Sequence, residues 1–545
     1  MTHILLLAFL FAPQDKPAAE KCTISGTVIS SVTGETLNKV QILAEGPGDD
    51  SRAMLSTTTD AKGNFTLTDL APGQYRLKGQ RNGYLETYYG RPQAEGRGTP
   101  ITLAAGQQIT GLQFKLLPFG VIAGTIRDVD GEPLAAAKVM LYAFKFERGR
   151  RRVSAMSQGA TDDLGQYRIS ELSPGKYLVR AEVERSAMFH NRAAEYSPKS
   201  GTPPPILVPS FYPGVRDAAA ARAVEIGAGT RVTGVDITLP YSSTTLVKGR
   251  AIVPAGTLLD SISLNYSNST DDGSDAIGFQ LQAKRSPNGD FNFPAVPPGS
   301  YLLTAIARAP AKPSSNIFEL MFYRTEYRAS IPVQVSDLPL EGLRIVVDAG
   351  SEVEGHITVD GDEKLKLDGS IVTFDDGKTG PTFARIGDDR KFTVGLSAGH
   401  YNVYLERRDL LIRSVSIEGR NIFDEGLTVS APAKIALEIV LARDGGRLEG
   451  VVLDKEEKPV PGATVVLIPD PKLRSRPDLF REAKTDQNGR YLIPNIRPGE
   501  YSVFAWDDVA PGAWWDPDFF KDYEKKGEPV TIKVSGHAAV KLHIL

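Results

Sequence analysis

A chain of 545 residues, 41% hydrophobic and 24% charged, with 52 glycines and 37 prolines, is globular, rich in turns and too long for one domain. A net charge of −3 and a pI near 6.2 give no electrostatic footprint for nucleic acid or an anionic membrane. The single cysteine, Cys22, excludes intramolecular disulfides, so stability has to come from apolar cores.

The N-terminus carries an apolar run over residues 4–11, then a polar, Ala- and Pro-containing stretch to Lys21. This is the pattern of a signal peptide over residues 1–21, which implies a secreted, periplasmic or cell-surface location, although its first residues lack Lys or Arg. The run is too short to span a bilayer, and no other stretch approaches the roughly 20 apolar residues of a transmembrane helix. Cys22 opens the first strand pattern and reads as a buried or strand-edge thiol.

From there the same elements return in order. A short apolar run surrounds Gly26, then Gly124, Gly249, Gly355 and Gly450, at intervals of roughly 100 residues, the length of a small domain. Downstream, Thr59, Asp60, Gly63, Phe65, Leu70, Pro72, Gly73 and Tyr75 reappear at identical spacing. The second copy is Thr161, Asp162, Gly165, Tyr167, Leu172, Pro174, Gly175 and Tyr177. The third is Thr485, Asp486, Gly489, Tyr491, Ile496, Pro498, Gly499 and Tyr501. This reads as an Asp-closed turn, an alternating strand, a Pro-Gly turn with positive φ at Gly, and a strand opened by a core-facing Tyr. A fourth copy keeps Gly289, Phe291, Pro298, Gly299 and Tyr301 but has Ser286 in place of Asp. The fifth is worn down to Phe392, Leu396, Gly399 and Tyr401. Alternating closing strands follow at 106–116, 229–239 and 536–544. The only helical patterns, 217–222 and 476–482, fall between strands.

These hairpins, the Gly-centred strands and the segments 133–139 and 459–465 resemble the carboxypeptidase regulatory-like domain. The resemblance implies an all-β chain, a tandem array of about five seven-stranded, transthyretin-like β-sandwich modules. The expected modules are 22–118, 119–240, 245–349, 350–443 and 446–545, with linkers near Phe119, Tyr241, Gly350 and Gly445. It also implies a module found beside peptidases, receptors and adhesins rather than a reaction.

Candidate chemistry is sparse. Gly395, Ser397 and Gly399 match a nucleophile-elbow pattern with His400 next to it, but they occupy the worn Pro-Gly turn between two strands, where the elbow needs a strand leading into a helix. None of the six histidines has an acid three residues on, as a zinc peptidase would require. Gly377, Lys378 and Thr379 end like a phosphate-binding loop but have Val372 where its first Gly belongs. The basic run 148–152 reads as a solvated hairpin tip. Neither an enzyme nor a cofactor is expected.

The most distinctive segment holds all three tryptophans, Trp506, Trp514 and Trp515, beside Asp507, Asp508, Asp516, Asp518 and Asp522 and near Tyr523. Flat rings next to carboxylates are what sugar-binding surfaces use, making Trp506, Trp514, Trp515, Asp516 and Tyr523 a candidate ligand platform. The other reading is an aromatic plug at the end of the last sandwich. Aromatics at the same place in other repeats, Tyr84, Tyr88 and Tyr89, Phe211 and Tyr212, and Phe318, Phe322 and Tyr323, favour the plug. Calcium held by Asp507, Asp508, Asp516 and Asp518 would fit no known loop spacing. The expected function is therefore a non-enzymatic binding or scaffolding protein whose partner is a carbohydrate or a cell-envelope protein. The alternative is a spacer subunit of a hydrolase or outer-membrane receptor.

Overall fold

The computed structural model describes residues 20–46, 55–90, 98–147, 150–183, 205–266, 280–308 except 287, and 326–545 except 363, 368, 378–380, 406, 408 and 431. The expected signal segment before residue 20 lies outside them. The chain is all-β and divides into two compact units after Leu117. Among the described residues, helical turns occur only at Ala218–Ala220, Pro471–Leu473, Pro477–Leu479, Ala513–Trp515, Pro517–Phe520 and Glu524–Lys526. Pro471–Leu473 and the last three were not anticipated.

The first unit shows how the repeated residues build a sandwich. Its strands are β1 (Cys22–Ser30), β2 (Gln41–Glu45), β3 (Leu55–Thr58), β4 (Asn64–Leu70), β5 (Gly73–Gln80), β6 (Thr87–Tyr88), β7 (Ile101–Leu103) and β8 (Gln108–Leu116). One sheet runs β4-β1-β8, with β8 parallel to β1, and the other runs β3-β2-β5 with β6 and β7 on the far side of β5. Ile24, Val28, Ile42, Phe65, Leu77 and Phe114 alternate inward from both sheets and fill the space between. Thr59 is buried, donates its hydroxyl to the Leu37 carbonyl at 2.8 Å and accepts the Val40 N–H at 2.9 Å. Asp60 accepts the N–H groups of Lys62 and Asn64, each at 2.8 Å, closing the turn.

The second unit repeats this arrangement. In its last sandwich the sheets run Arg490–Ile496, Gly446–Leu453, His537–His543 and Arg481–Lys484, Thr464–Pro469, Gly499–Trp506, Glu528–Ile532. Separate apolar cores centre on Val139 and Val179, on Phe293 and Leu303, on Phe374 and Ile439, and on Val465 and Val503. The fourth sandwich exceeds seven strands, because the hairpin Leu411–Ile417 with Arg420–Asn421 pairs beside Lys434–Ala442. The stretch at Tyr241, read as a linker, is a strand, Tyr241–Ser242, paired with Ile206–Leu207.

The Pro-Gly turn has the expected positive φ at Gly73, Gly175 and Gly299, at 148°, 159° and 155°, but Gly499 of the third copy and Gly399 of the worn one do not share it. A second set of positive-φ residues was not expected: Asp69, Glu171 and Asn495, with φ of 64°, 62° and 52°. Each sits at a register shift where its strand bulges against the Gly-centred strand.

The central glycines are explained by close approach. A Cβ at Gly26 would lie 2.1 Å from the Leu112 carbonyl oxygen, at Gly124 2.1 Å from that of Val235, and at Gly450 1.8 Å from that of Val540. Tyr167 and Tyr491 use the space by donating their hydroxyls to the same Val235 and Val540 carbonyls, at 2.7 and 2.8 Å. Gly450→Ala must push two paired strands apart, so it should cost about 1–3 kcal/mol. Denaturant melts, with hydrogen exchange in Gly446–Leu453 and His537–His543, read this directly.

In every sandwich the Tyr after the turn donates back to the carbonyl four residues earlier: Tyr75 to Ala71, Tyr177 to Ser173, Tyr301 to Pro297, Tyr401 to Ser397 and Tyr501 to Arg497, at 2.7–3.0 Å. Burial pushes the Tyr401 and Tyr501 hydroxyls up from 10.0 to about 12. A raised folded-state value means the stabilisation is complete below pH 10 and is lost as pH climbs towards 12. Thermal melts across that window should therefore fall steeply, and Tyr401→Phe should flatten the fall.

Candidate functional site

The tryptophans sit on the outer face of the last sandwich. Along Thr464–Pro469 and Gly499–Trp506, Val465, Leu467, Val503 and Ala505 point into the core, so Val466, Ile468, Phe504 and Trp506 point out. The loop after Trp506 folds back over that apolar face. Gly512, at φ 79°, starts the turn Ala513–Trp515, and Asp516 caps Pro517–Phe520 by accepting the Asp518 N–H at 3.0 Å.

The result is a second, smaller core outside the sheet. Trp506 stacks on Phe504 with centroids 5.6 Å apart and planes 7° apart, while Tyr523 meets it edge-on at 5.5 Å. Phe520 packs edge-on to Phe504 at 5.2 Å, and Trp514 lies 5.8 Å from Trp515. Trp506 and Trp514 are 3% and 5% exposed, whereas Trp515, Asp516 and Tyr523 are half-buried. The five candidate platform residues are thus brought together, but two of the three indoles have no free ring face. The loop covers the flank of the sandwich rather than its end. The second sandwich covers the same face with Tyr142, Val153, Leu178 and Phe211. The cluster at Phe318, Phe322 and Tyr323 lies outside the described residues.

The segment 470–480 was read only as an inter-strand loop with a short helical pattern from 476, and its role was missed. It straps the last sandwich to the fourth. Arg476, 1% exposed, donates to the carbonyls of Phe423 and, at 2.8 Å, Val403, and lies 3.6 Å from the Phe423 ring centroid. Asp478 holds its other side at 3.0 and 3.1 Å. Arg497 lies over the same Phe423 ring at 3.6 Å, and burial lowers its affinity for the proton. Leu479 joins the fourth core. Arg474 reaches the aromatic cover instead, 5.1 Å from the Phe520 ring, with Glu524 at 2.7 Å.

The remaining sequence candidates have ordinary surroundings. Ser397 lies in the turn between Lys391–Leu396 and Gly399–Leu405, and His400 Nδ1 is 3.1 Å from the Thr428 hydroxyl. His543 pairs with Glu457 at 2.9 Å. Lys378 and Thr379 of the phosphate-loop pattern are not among the described residues, nor are Arg148, His3 and His190. Among the described residues, no three or more His, Cys, Asp or Glu gather in a metal-binding group, and no helix is long and apolar enough to cross a membrane.

With that geometry, comparison with known proteins is direct. Residues 23–117 and 447–512 match the carboxypeptidase regulatory-like domain. These regulatory-like stretches are the first sandwich and most of the last. Comparison with curated proteins gives no match. Similar solved structures include the Bacillus anthracis TIE protein, 15% identical over 60% of this chain and 50% of that one, with a TM-score of 0.18. This chain therefore aligns with about half of that structure. GBS52, the minor pilin of Streptococcus agalactiae, is 16% identical over 42% of this chain and 98% of that one, at a TM-score of 0.24. The shaft pilin SpaA of Lactobacillus rhamnosus GG is 10% identical over 42% and 99%, at 0.20.

Proposed function

We propose that this chain is a non-enzymatic scaffolding and binding protein of the cell surface or extracellular space, with a carbohydrate or a cell-envelope protein as its ligand. One observation supports it most: the repeated signature residues are spent on folding. The Thr59, Thr161 and Thr485 hydroxyls clip loops, the Asp60, Asp162 and Asp486 carboxylates close turns, and the repeated Tyr hydroxyls reach backbone carbonyls. None is left poised for chemistry. The aromatic layer from Trp506 to Tyr523 is on this reading a cover for the sheet, and the ligand is met elsewhere. The strap at Arg476 favours a second reading, a rigid spacer within a hydrolase or outer-membrane receptor system.

The test is a glycan array probed with the purified chain, alongside hydrolase assays of wild type and Ser397→Ala. Glycan binding without hydrolysis is the expected result. An esterase activity that disappears in folded Ser397→Ala would overturn the non-enzyme reading, and a chain that binds no glycan but assembles with a hydrolase would favour the spacer.

A further inference from the structure

The third sandwich carries a groove of a different character. Strand Thr245–Ile252 alternates, with Val247 and Ala251 buried and Lys248 and Arg250 exposed. Its neighbour Asp290–Val296 sends Phe291 and Phe293 inward and leaves Asp290 and Asn292 on the same outer face. Strand Leu340–Val346 adds Glu341 and Arg344, and the short edge strand Lys284–Arg285 places Lys284 beside Asn292, while Arg285, opposite Phe291, lies at the rim with its guanidinium donating to the Leu259 carbonyl. With Leu258 and Leu259 as a ledge, these residues enclose an open groove of about 1170 Å³.

The groove is cationic in a chain of net charge −3. Lys248, Arg250, Lys284, Arg285 and Arg344 face only Asp290 and Glu341. The two ion pairs inside it are long and solvated, 3.5 Å for Lys248–Glu341 and 3.7 Å for Arg250–Asp290. Lys284 and Arg344 have no carboxylate within ion-pair distance among the described residues. The corresponding face of the fourth sandwich gives Lys434 to Glu352 at 3.2 Å, and that of the fifth gives Lys541 to Glu457 at 2.5 Å. The floor also holds an orphan: Asn292 Oδ1 is buried and accepts no hydrogen bond from the protein. A buried acceptor without a donor is costly, and a ligand that supplies one recovers that cost.

We infer that this groove binds an acidic polysaccharide. Carboxylate groups along the polymer meet the uncompensated cations, and sugar hydroxyls donate to Asn292 Oδ1 and to the Asp290 and Glu341 carboxylates. The exposed aliphatic ledge at Leu258, 68% exposed, meets the apolar face of a ring. A peptide polyanion fits less well. The groove lies on a sheet face whose central strands are hydrogen-bonded on both sides, so a peptide backbone would find no ladder partners there. The assignment rests on the proposal that the protein binds carbohydrate, and it names the class and the place.

The test is calorimetric titration of the full chain with polygalacturonate, dextran and poly-glutamate, on wild type, the double variant Lys284→Glu with Arg344→Glu, and Asn292→Ala. The changed charges are exposed, and circular dichroism checks the fold. Polygalacturonate binding should weaken as salt rises and fall at least about tenfold, about 1.4 kcal/mol, in the double variant. Asn292→Ala should weaken it less, with the salt dependence kept. Absent polygalacturonate binding, unchanged affinity in the double variant, or equal binding of poly-glutamate would each overturn the inference. Dextran binding that survives the double variant would reject this groove yet leave the carbohydrate-binding proposal standing, and failure of every glycan would reject both.

Discussion

Arg476→Ala is expected to destabilise the fourth and fifth sandwiches together, by about 3–5 kcal/mol, the usual cost of removing one partner from a buried charged cluster. The side chain is 1% exposed and fills the junction between the two cores. Its loss strands the carbonyls of Phe423 and Val403, leaves Asp478 without its cation and empties the space against the Phe423 ring. Arg476→Lys should rescue little, because an ammonium cannot reach two carbonyls and a carboxylate in one plane while lying flat on a ring. Equilibrium denaturation should show the loss. Hydrogen exchange should rise in Gly399–Leu405, around Phe423 and in 470–480 alike.

Trp506→Ala should cost about 3–5 kcal/mol, as for truncation of a large buried aromatic. Trp506 is the hub of the outer layer, touching Phe504, Phe519 and Tyr523. Trp514→Ala should behave similarly, and the half-buried Trp515 should matter less. Wild-type fluorescence should be blue-shifted and indifferent to added polysaccharide. Unchanged stability of a Trp506→Ala, Trp514→Ala double variant would show the layer to be a free surface.

The sandwiches were legible because their signals are local. Thr59, Asp60 and Tyr75 act on backbone within one or two turns of chain or across one paired strand, so a repeat in sequence is a repeat in hydrogen bonds. The position of the aromatic cover was legible too, from aromatics recurring after the same strand. Its placement on the flank was not, since Trp506 and Phe504 alternate outward only once the register of Gly499–Trp506 against Thr464–Pro469 is fixed. Arg476 left no signal, because its carbonyl partners lie 53 and 73 residues back in another sandwich. Likewise Lys248, Lys284 and Arg344 are scattered in sequence and meet only through strand pairing. The left-handed residue ahead of the turn was not read from the sequence, although Asp and Asn tolerate positive φ and so suit the bulge at Asp69 and Asn495.

The central claim is that the repeated residues build separate sandwich cores, of which the last two are tied into one by the strap. Hydrogen exchange along a denaturant series tests it most directly. The account predicts that Ser351–Val359 and Thr464–Pro469 lose protection at one common denaturant concentration, that β1 and β8 lose theirs at a different one, and that Arg476→Ala splits the common transition in two. A single transition shared by every strand of the chain, or fourth and fifth cores that already melt apart in the wild type, would contradict it.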